Sequence, residues 1–285
     1  MLKLQKNIQY LLAASVLSLG LLGCNKASDS QPKAADTSAS SIEQIKKNGV
    51  VRIGVFSDKP PFGYLDAQGK NQGFDVEIAK HVAKDLLGDE NKVEFVLTEA
   101  ANRVEYLKSN KVDIIFANFT VTPERKEVVD FAKPYLKVAL GVVSPKDHPI
   151  SDINQLKDKV LLVNKGTTAD SYFTKKYPEI KLQKYEQNTE TFAALKDGRG
   201  AALAHDNLLV LAWAKENPNY TVDITTLGEH DLIAPAVKKG DKELLDWLNK
   251  DLEKLAKEGV IHQAYEKTLL PIYGDSIPAK DLIIE

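Results

Sequence analysis

Apolar and polar positions in this chain follow two rhythms that take turns. Val50 to Phe56 (VVRIGVF) is a short apolar run of strand type. Phe74 to Leu87 then places Ile78, Ala79, Val82, Ala83, Leu86 and Leu87 at the 3.6-residue period of a helix face, and Gly88 is set to end it. The exchange continues with a strand ending at Leu97, a helix over Arg103 to Lys108 and a buried strand over Val112 to Ala117. Further on, Val160 to Val163 reads as a strand, and Gly166-Thr167-Thr168 opens a helix through Tyr172 and Phe173. Thr189 to Lys196 is a helix closed by Gly198, Ala201 to Ala204 a strand, and Asn207 to Lys215 a helix ending before Pro218. Lys242 to Lys257, with its Leu244, Leu248, Leu252 and Leu255 stripe, and Val260 to Leu269 complete the pattern as helices. Strands alternating with helices predict an α/β architecture with mainly parallel sheets.

The first forty residues break the rhythm. Lys3 and Lys6 precede an apolar stretch from Ile8 to Leu22 interrupted by Ser15, Ser18 and Gly20. A membrane span needs about 20 apolar residues, so residues 1–23 read instead as a secretory signal peptide. Leu21-Leu22-Gly23-Cys24 resembles the bacterial lipobox, which makes Cys24, the only cysteine, a lipidation site. Residues 25–41 hold no bulky apolar side chain, so 24–41 reads as a lipidated cysteine and flexible linker, with the fold starting near Ile42. The expected location is exported and membrane-anchored, in the periplasm or on the outer face of the cell membrane. A formal net charge of −2 argues against a nucleic-acid partner.

Enzyme signatures are absent from the sequence. His81, His148, His205, His230 and His262 are scattered, with no helical metal-ligand spacing and no second cysteine, so no metal and no cofactor is expected. No catalytic residue can be named. The ends of the predicted strands are more informative, because ligands of open α/β sheets sit there. After Val112 to Ala117 comes Asn118-Phe119-Thr120-Val121-Thr122-Pro123-Glu124-Arg125; after Val160 to Val163 comes Gly166-Thr167-Thr168; after Ala201 to Ala204 comes Asp206. An arginine that can grip a carboxylate through two bonds, a helix start with free N–H groups and a carboxylate for an ammonium suit a zwitterion. Taken singly, Arg125 is an ordinary surface residue, Thr168 a helix cap and Asp206 an N-cap.

Gly73-Phe74-Asp75-Val76-Glu77-Ile78-Ala79, Val82-Ala83, Asp113-Ile114-Ile115, Thr120 to Arg125 and Val129-Asp130-Phe131 together resemble the family 3 extracellular solute-binding proteins, the amino-acid receptors of ABC importers. The resemblance spans about residues 45–275. It implies a type II periplasmic-binding-protein fold of two α/β lobes joined by two crossing strands, near Lys137 to Leu140 and Asp231 to Pro235. Lobe one would comprise 42–138 plus 233–285, and lobe two 139–232. It further implies Arg125 and Thr120 on the ligand carboxylate, Thr168 beside Gly166 as the second lobe's contribution, and Asp206 and the backbone at Asn118 on the ammonium. A free amino acid, an ABC permease with its ATPase and a lipid anchor are the implied partners, with the receptor a monomer. Lys59 and Ala100 stand where many members carry aromatic residues, leaving Phe62 or Phe119 to wall the ligand. Asn102 to Glu105, Ala117 to Thr120 and Ala204 to Asn207 look most like the cysteine-binding branch. Lys59 and Arg103, otherwise solvated rim charges, keep open a basic pocket for aspartate or glutamate. A dehydratase-like enzyme, or a sensory or adhesive lipoprotein, on the same fold are the alternatives of different class.

Overall fold

Residues 41–284 are described in the computed structural model. The expected signal peptide, Cys24 and the rest of the linker to residue 40 lie outside the described residues. Ser41 is not linker: it opens the first helix, Ser41–Asn48, and its hydroxyl donates to Asp241 at 2.8 Å.

Two five-stranded sheets organise the chain. The first has the order Val93–Leu97, Val51–Val55, Ile114–Ile115, Ala236–Lys238, Val129–Phe131. Val51–Val55 runs parallel to both neighbours, and Ala236–Lys238 antiparallel to both of its own. The second has the order Lys181–Tyr185, Val160–Asn164, Ala202–Asp206, Leu136–Pro145, Tyr220–Ile233, with the first three parallel and the last two antiparallel to their neighbours. The parallel strands are apolar runs because helices cover both faces: Val51, Ile53 and Val55, and likewise Leu161, Leu162 and Val163, are fully buried. The expected six-residue strand over Val112 to Ala117 is paired as a strand only over Ile114–Ile115, flanked by Asp113 and Phe116 N–H groups on the Arg52 and Gly54 carbonyls, and the backbone enters the left-handed region at Asn118, whose φ is 43°. The helix Phe74–Leu87 ends as its sequence predicts, with Gly88 in the left-handed region and its N–H on the Lys84 carbonyl.

Leu136–Pro145 and Tyr220–Ile233 tie the lobes together. They pair antiparallel from Leu136↔Ile233 to Pro145↔Tyr220, through three register irregularities. Along them the core changes hands. Leu136, Val138 and Ile233 pack with Val51, Phe74 and Leu248. Leu140 and Val142 pack with Leu161, Phe173 and Ala204. The helix Asn207–Glu216 straddles the division: Leu208 joins the first core, while Leu209 and Val210 pack with Val143, Leu162 and Leu203.

Candidate functional site

Strand ends converge between the lobes. Ala202–Asp206 delivers Asp206, which is 4% exposed. It immediately precedes the helix Asn207–Glu216, yet its carboxylate caps no helix N–H; Asn207 Oδ1 takes the Leu208 N–H at 2.9 Å instead. Asp206 Oδ2 accepts from Lys59 Nζ at 2.6 Å, and the same ammonium donates to Asn118 Oδ1 at 2.5 Å. Lys59 belongs to the small antiparallel sheet of Asp58–Lys59, Gly63–Leu65 and Asn71–Gln72, and is 1% exposed. Its ammonium stands 5.3 Å from the Phe56 ring centroid and 5.8 Å from that of Phe62, which is itself fully buried.

Arg103, 3% exposed at the start of the helix Arg103–Lys108, donates to the carbonyls of Ala100, Ala117, Asn118 and Gly166. The solvated-rim reading of Lys59 and Arg103 is therefore corrected: both are interior cations, held by a carboxylate and by main-chain carbonyls. Arg125, partly buried on the short helix Pro123–Lys126, donates to the Thr120 carbonyl and to Gly166 O, both at 2.8 Å. The Phe119 ring lies against both guanidinium groups, 4.3 Å from the Arg103 carbon and 4.7 Å from that of Arg125. Thr120 is buried, and its segment is stitched to the second long strand by a bridge to Ile233.

Gly166 brings second-lobe main chain close against the turn Ala100–Asn102 of the first. Its φ is +71°, and a Cβ there would lie 2.7 Å from Ala101 Cα. The helix cap at this end is Thr167, whose hydroxyl accepts the Asp170 N–H; Thr168 is the first helical residue, with an N–H that the helix leaves unpaired. Thus Lys59, Arg103, Asn118, Thr120, Arg125, Gly166 and Asp206 form one hydrogen-bonded cluster, with Phe62 against Lys59 and Thr168 two residues past Gly166. Two cavities flank it. One of about 310 Å³ is bounded by Arg125, Gly166, Thr167 and Asp170. The other, about 710 Å³, lies between Pro60, Pro61, Phe192, Trp213 and Ile272 and takes in none of the cluster.

Sequence reasoning missed the support behind the cluster. Asp75, fully buried, accepts the Tyr135 hydroxyl and the Asn118 N–H, each at 2.7 Å, and so fixes the left-handed turn at Asn118. Its place inside the Gly73-Phe74-Asp75 motif was the available signal. Burial lifts the Asp75 carboxyl to about 7, against the Tyr135 and Asn118 hydrogen bonds, which lower it. Burial, the largest single influence, would also raise Asp206, but Lys59 and His205 together overcome it and hold the carboxyl well below the ordinary range. Burial lowers Lys59, with Asp206 opposing, and lowers Arg103, with Arg125 adding to the effect. Arg125 is lowered to about 10, chiefly by burial. His205 Nδ1 accepts the Asp206 N–H at 2.7 Å, and burial followed by the Lys59 charge lowers its pKa, so the ring is neutral with its proton on Nε2. Among the described residues, Asn118 Nδ2 and His205 Nε2 are buried without a hydrogen-bond partner.

Two α/β lobes meeting at buried cations and an ionised carboxylate define a ligand binder. The chain belongs to the bacterial extracellular solute-binding proteins, family 3, whose model matches residues 51–270. It is 67% identical to the crystal structure of the solute receptor for L-cysteine of Neisseria gonorrhoeae, with a TM-score of 0.85 over 86% of this chain and 99% of that one. It is 62% identical to the cysteine-binding protein from Campylobacter jejuni, again with a TM-score of 0.85, over 87% of this chain and all of that one. The ABC transporter glutamine-binding protein of Bacillus subtilis is 32% identical over 249 residues, 87% of this chain and 91% of the relative.

Proposed function

We propose that this protein is a lipid-anchored receptor that closes on free L-cysteine and delivers it, as a monomer and without turnover, to an ABC permease and its ATPase. The observation that carries the ligand is the contrast in identity: 67% and 62% to two cysteine receptors, against 32% to a glutamine receptor of the same family. In this reading lobe one is 42–138 plus 233–285 and lobe two 139–232. Arg125, Thr120 and the Thr168 N–H take the α-carboxylate. Asp206 and the main chain at Asn118 take the α-ammonium. Asp206 Oδ1 supports this, since Lys59 is bonded only to Oδ2. So do the buried polar atoms of Asn118 and His205 that have no protein partner.

A thermal-shift screen of the twenty amino acids tests the ligand. Cysteine at about 100 times its dissociation constant adds about 2.7 kcal/mol of stability through mass action. A shift with aspartate or glutamate and none with cysteine would replace the ligand. Steady product formation from prephenate or arogenate would replace the class. For the anchor, Cys24→Ser should move the protein from the membrane fraction to the soluble one.

A further inference from the structure

The groups around Asp206 that are still open are nearly all donors. Lys59 has three N–H bonds and spends two, on Asp206 Oδ2 and Asn118 Oδ1. His205 Nε2 and Asn118 Nδ2 carry protons and have no partner. Arg103 and Arg125 bond only to main-chain carbonyls, so neither has a carboxylate of its own. Three buried or half-buried cations thus meet Asp206 as the one fully ionised carboxylate among them, with Asp75, which titrates near 7, behind Asn118 and the half-buried Asp231 beside Arg125. A neutral zwitterion leaves that imbalance untouched, because its own charges cancel. A ligand with a second anionic group corrects it.

We propose that cysteine binds with its thiol deprotonated, its sulfur accepting the remaining N–H of Lys59, which makes Lys59 the residue that determines side-chain specificity. The statement rests on the cysteine-receptor reading above. On binding, the S–H proton passes to bulk buffer, and the thiolate enters a site whose cation is already held in place by Asp206 and Asn118. A neighbouring lysine is the kind of environment that lowers a thiol pKa from its free value of about 8.5. Serine presents a hydroxyl of similar shape that does not ionise at these pH values. Aspartate carries the required charge on a longer side chain.

The test is calorimetry of the full chain with cysteine, in phosphate and in Tris, together with ultraviolet difference spectra for the thiolate. The charged and titratable groups around the site are Lys59, Arg103, Arg125, His205 and Asp206, with Asp75 and Tyr135 behind Asn118, Asp231 and Glu124 beside Arg125, and Tyr273 near Asp206. Serine and alanine serve as controls, since they meet the same groups. The expected result is close to one proton released per cysteine beyond the controls at pH 7, thiolate absorbance in the complex, and an affinity that rises about tenfold per pH unit up to the free thiol pKa. Lys59→Met should abolish the thiolate absorbance and the pH dependence. Tight, pH-independent cysteine binding without thiolate absorbance overturns the proposal and leaves the cysteine receptor standing. No cysteine binding at any pH overturns both.

Discussion

Asp75 touches no expected ligand atom, yet it contributes to how the fold answers pH. Its carboxyl titrates near 7 in the folded protein because burial disfavours the charge, and near its ordinary value in the unfolded chain. Between those two values folding takes up a proton, so this group's contribution to stability falls as pH rises from about 4 to 7 and is level above. At about 1.4 kcal/mol per unit, the swing is about 4 kcal/mol. Asp206 has the opposite sign: its depressed folded pKa contributes stability that is lost only as pH falls below the unfolded carboxylate range. Urea midpoints for the protein and for Asp75→Asn, compared from pH 4.5 to 7.5, should show a steeper decline in the former; parallel curves would contradict the assignment. Ligand affinity belongs to other residues. Arg125→Ala should weaken cysteine binding at least about 30-fold by calorimetry, since losing one partner of a buried charge pair costs about 2–5 kcal/mol. At this scale the sequence exposed residue types but not partners. Arg125 and Asp206 stand out as charges at strand ends. The bond between Lys59 and Asp206 joins positions 147 apart, and nothing local to either marks it as interior.

Elements were easier to read than the contacts between them. Long periodic segments such as Phe74–Leu87 and Lys242–Lys257 keep their predicted bounds, because a sustained apolar stripe and an end signal agree. The run from Val112 to Ala117 did not reveal its short ladder, since buried apolar residues look alike inside and outside a strand. Gly-Thr-Thr gave the helix start, but the cap is Thr167 and not Thr168 as its ordinary reading has it. The Gly166 loop lies directly against the turn Ala100–Asn102. Gly166→Ala meets two penalties: the left-handed backbone costs about 1–2 kcal/mol for a residue with a Cβ, and that Cβ meets main-chain atoms of Ala101 at 2.7 and 2.9 Å. Only the second depends on the lobes being shut. Cysteine affinity should therefore fall at least about tenfold, beyond what the loss in unliganded stability accounts for. Small-angle scattering should show the variant remaining more extended than its parent in saturating cysteine. Equal compaction would mean the loop can retreat.

Among the described residues, contacts join the two halves on more than one side of the central cluster. Lys59–Asp206 and the two arginines on Gly166 O form the centre. Glu124 pairs with Lys175 at 2.6 Å, and the Tyr273 hydroxyl reaches the Leu208 carbonyl at 2.7 Å. Asp58 forms a further latch: its carboxylate takes Asn188 Nδ2 at 2.9 Å and the Thr189 N–H at 3.2 Å, so the small sheet of the first lobe grips the start of the helix Asn188–Lys196 in the second. The Asp58 side chain makes no hydrogen bond to Lys59, Arg103, Asn118, Thr120, Arg125, Gly166 or Asp206, and so separates closure from recognition. Removing it destabilises the closed state alone, and a ligand that needs that state loses affinity by at most the same amount. Hydrogen bonds to a charged group contribute about 1.5–3 kcal/mol, so Asp58→Ala should raise the cysteine dissociation rate by roughly 10- to 100-fold. Association should change little, because the open form that meets the ligand never makes this contact. The proton released on binding should also be unchanged, since the sulfur still meets Lys59. Stopped-flow rates for release and capture decide the matter: a slower capture with unaltered release would place Asp58 in the encounter rather than in the closed state, and the hinge would then owe its balance to the centre of the cleft alone.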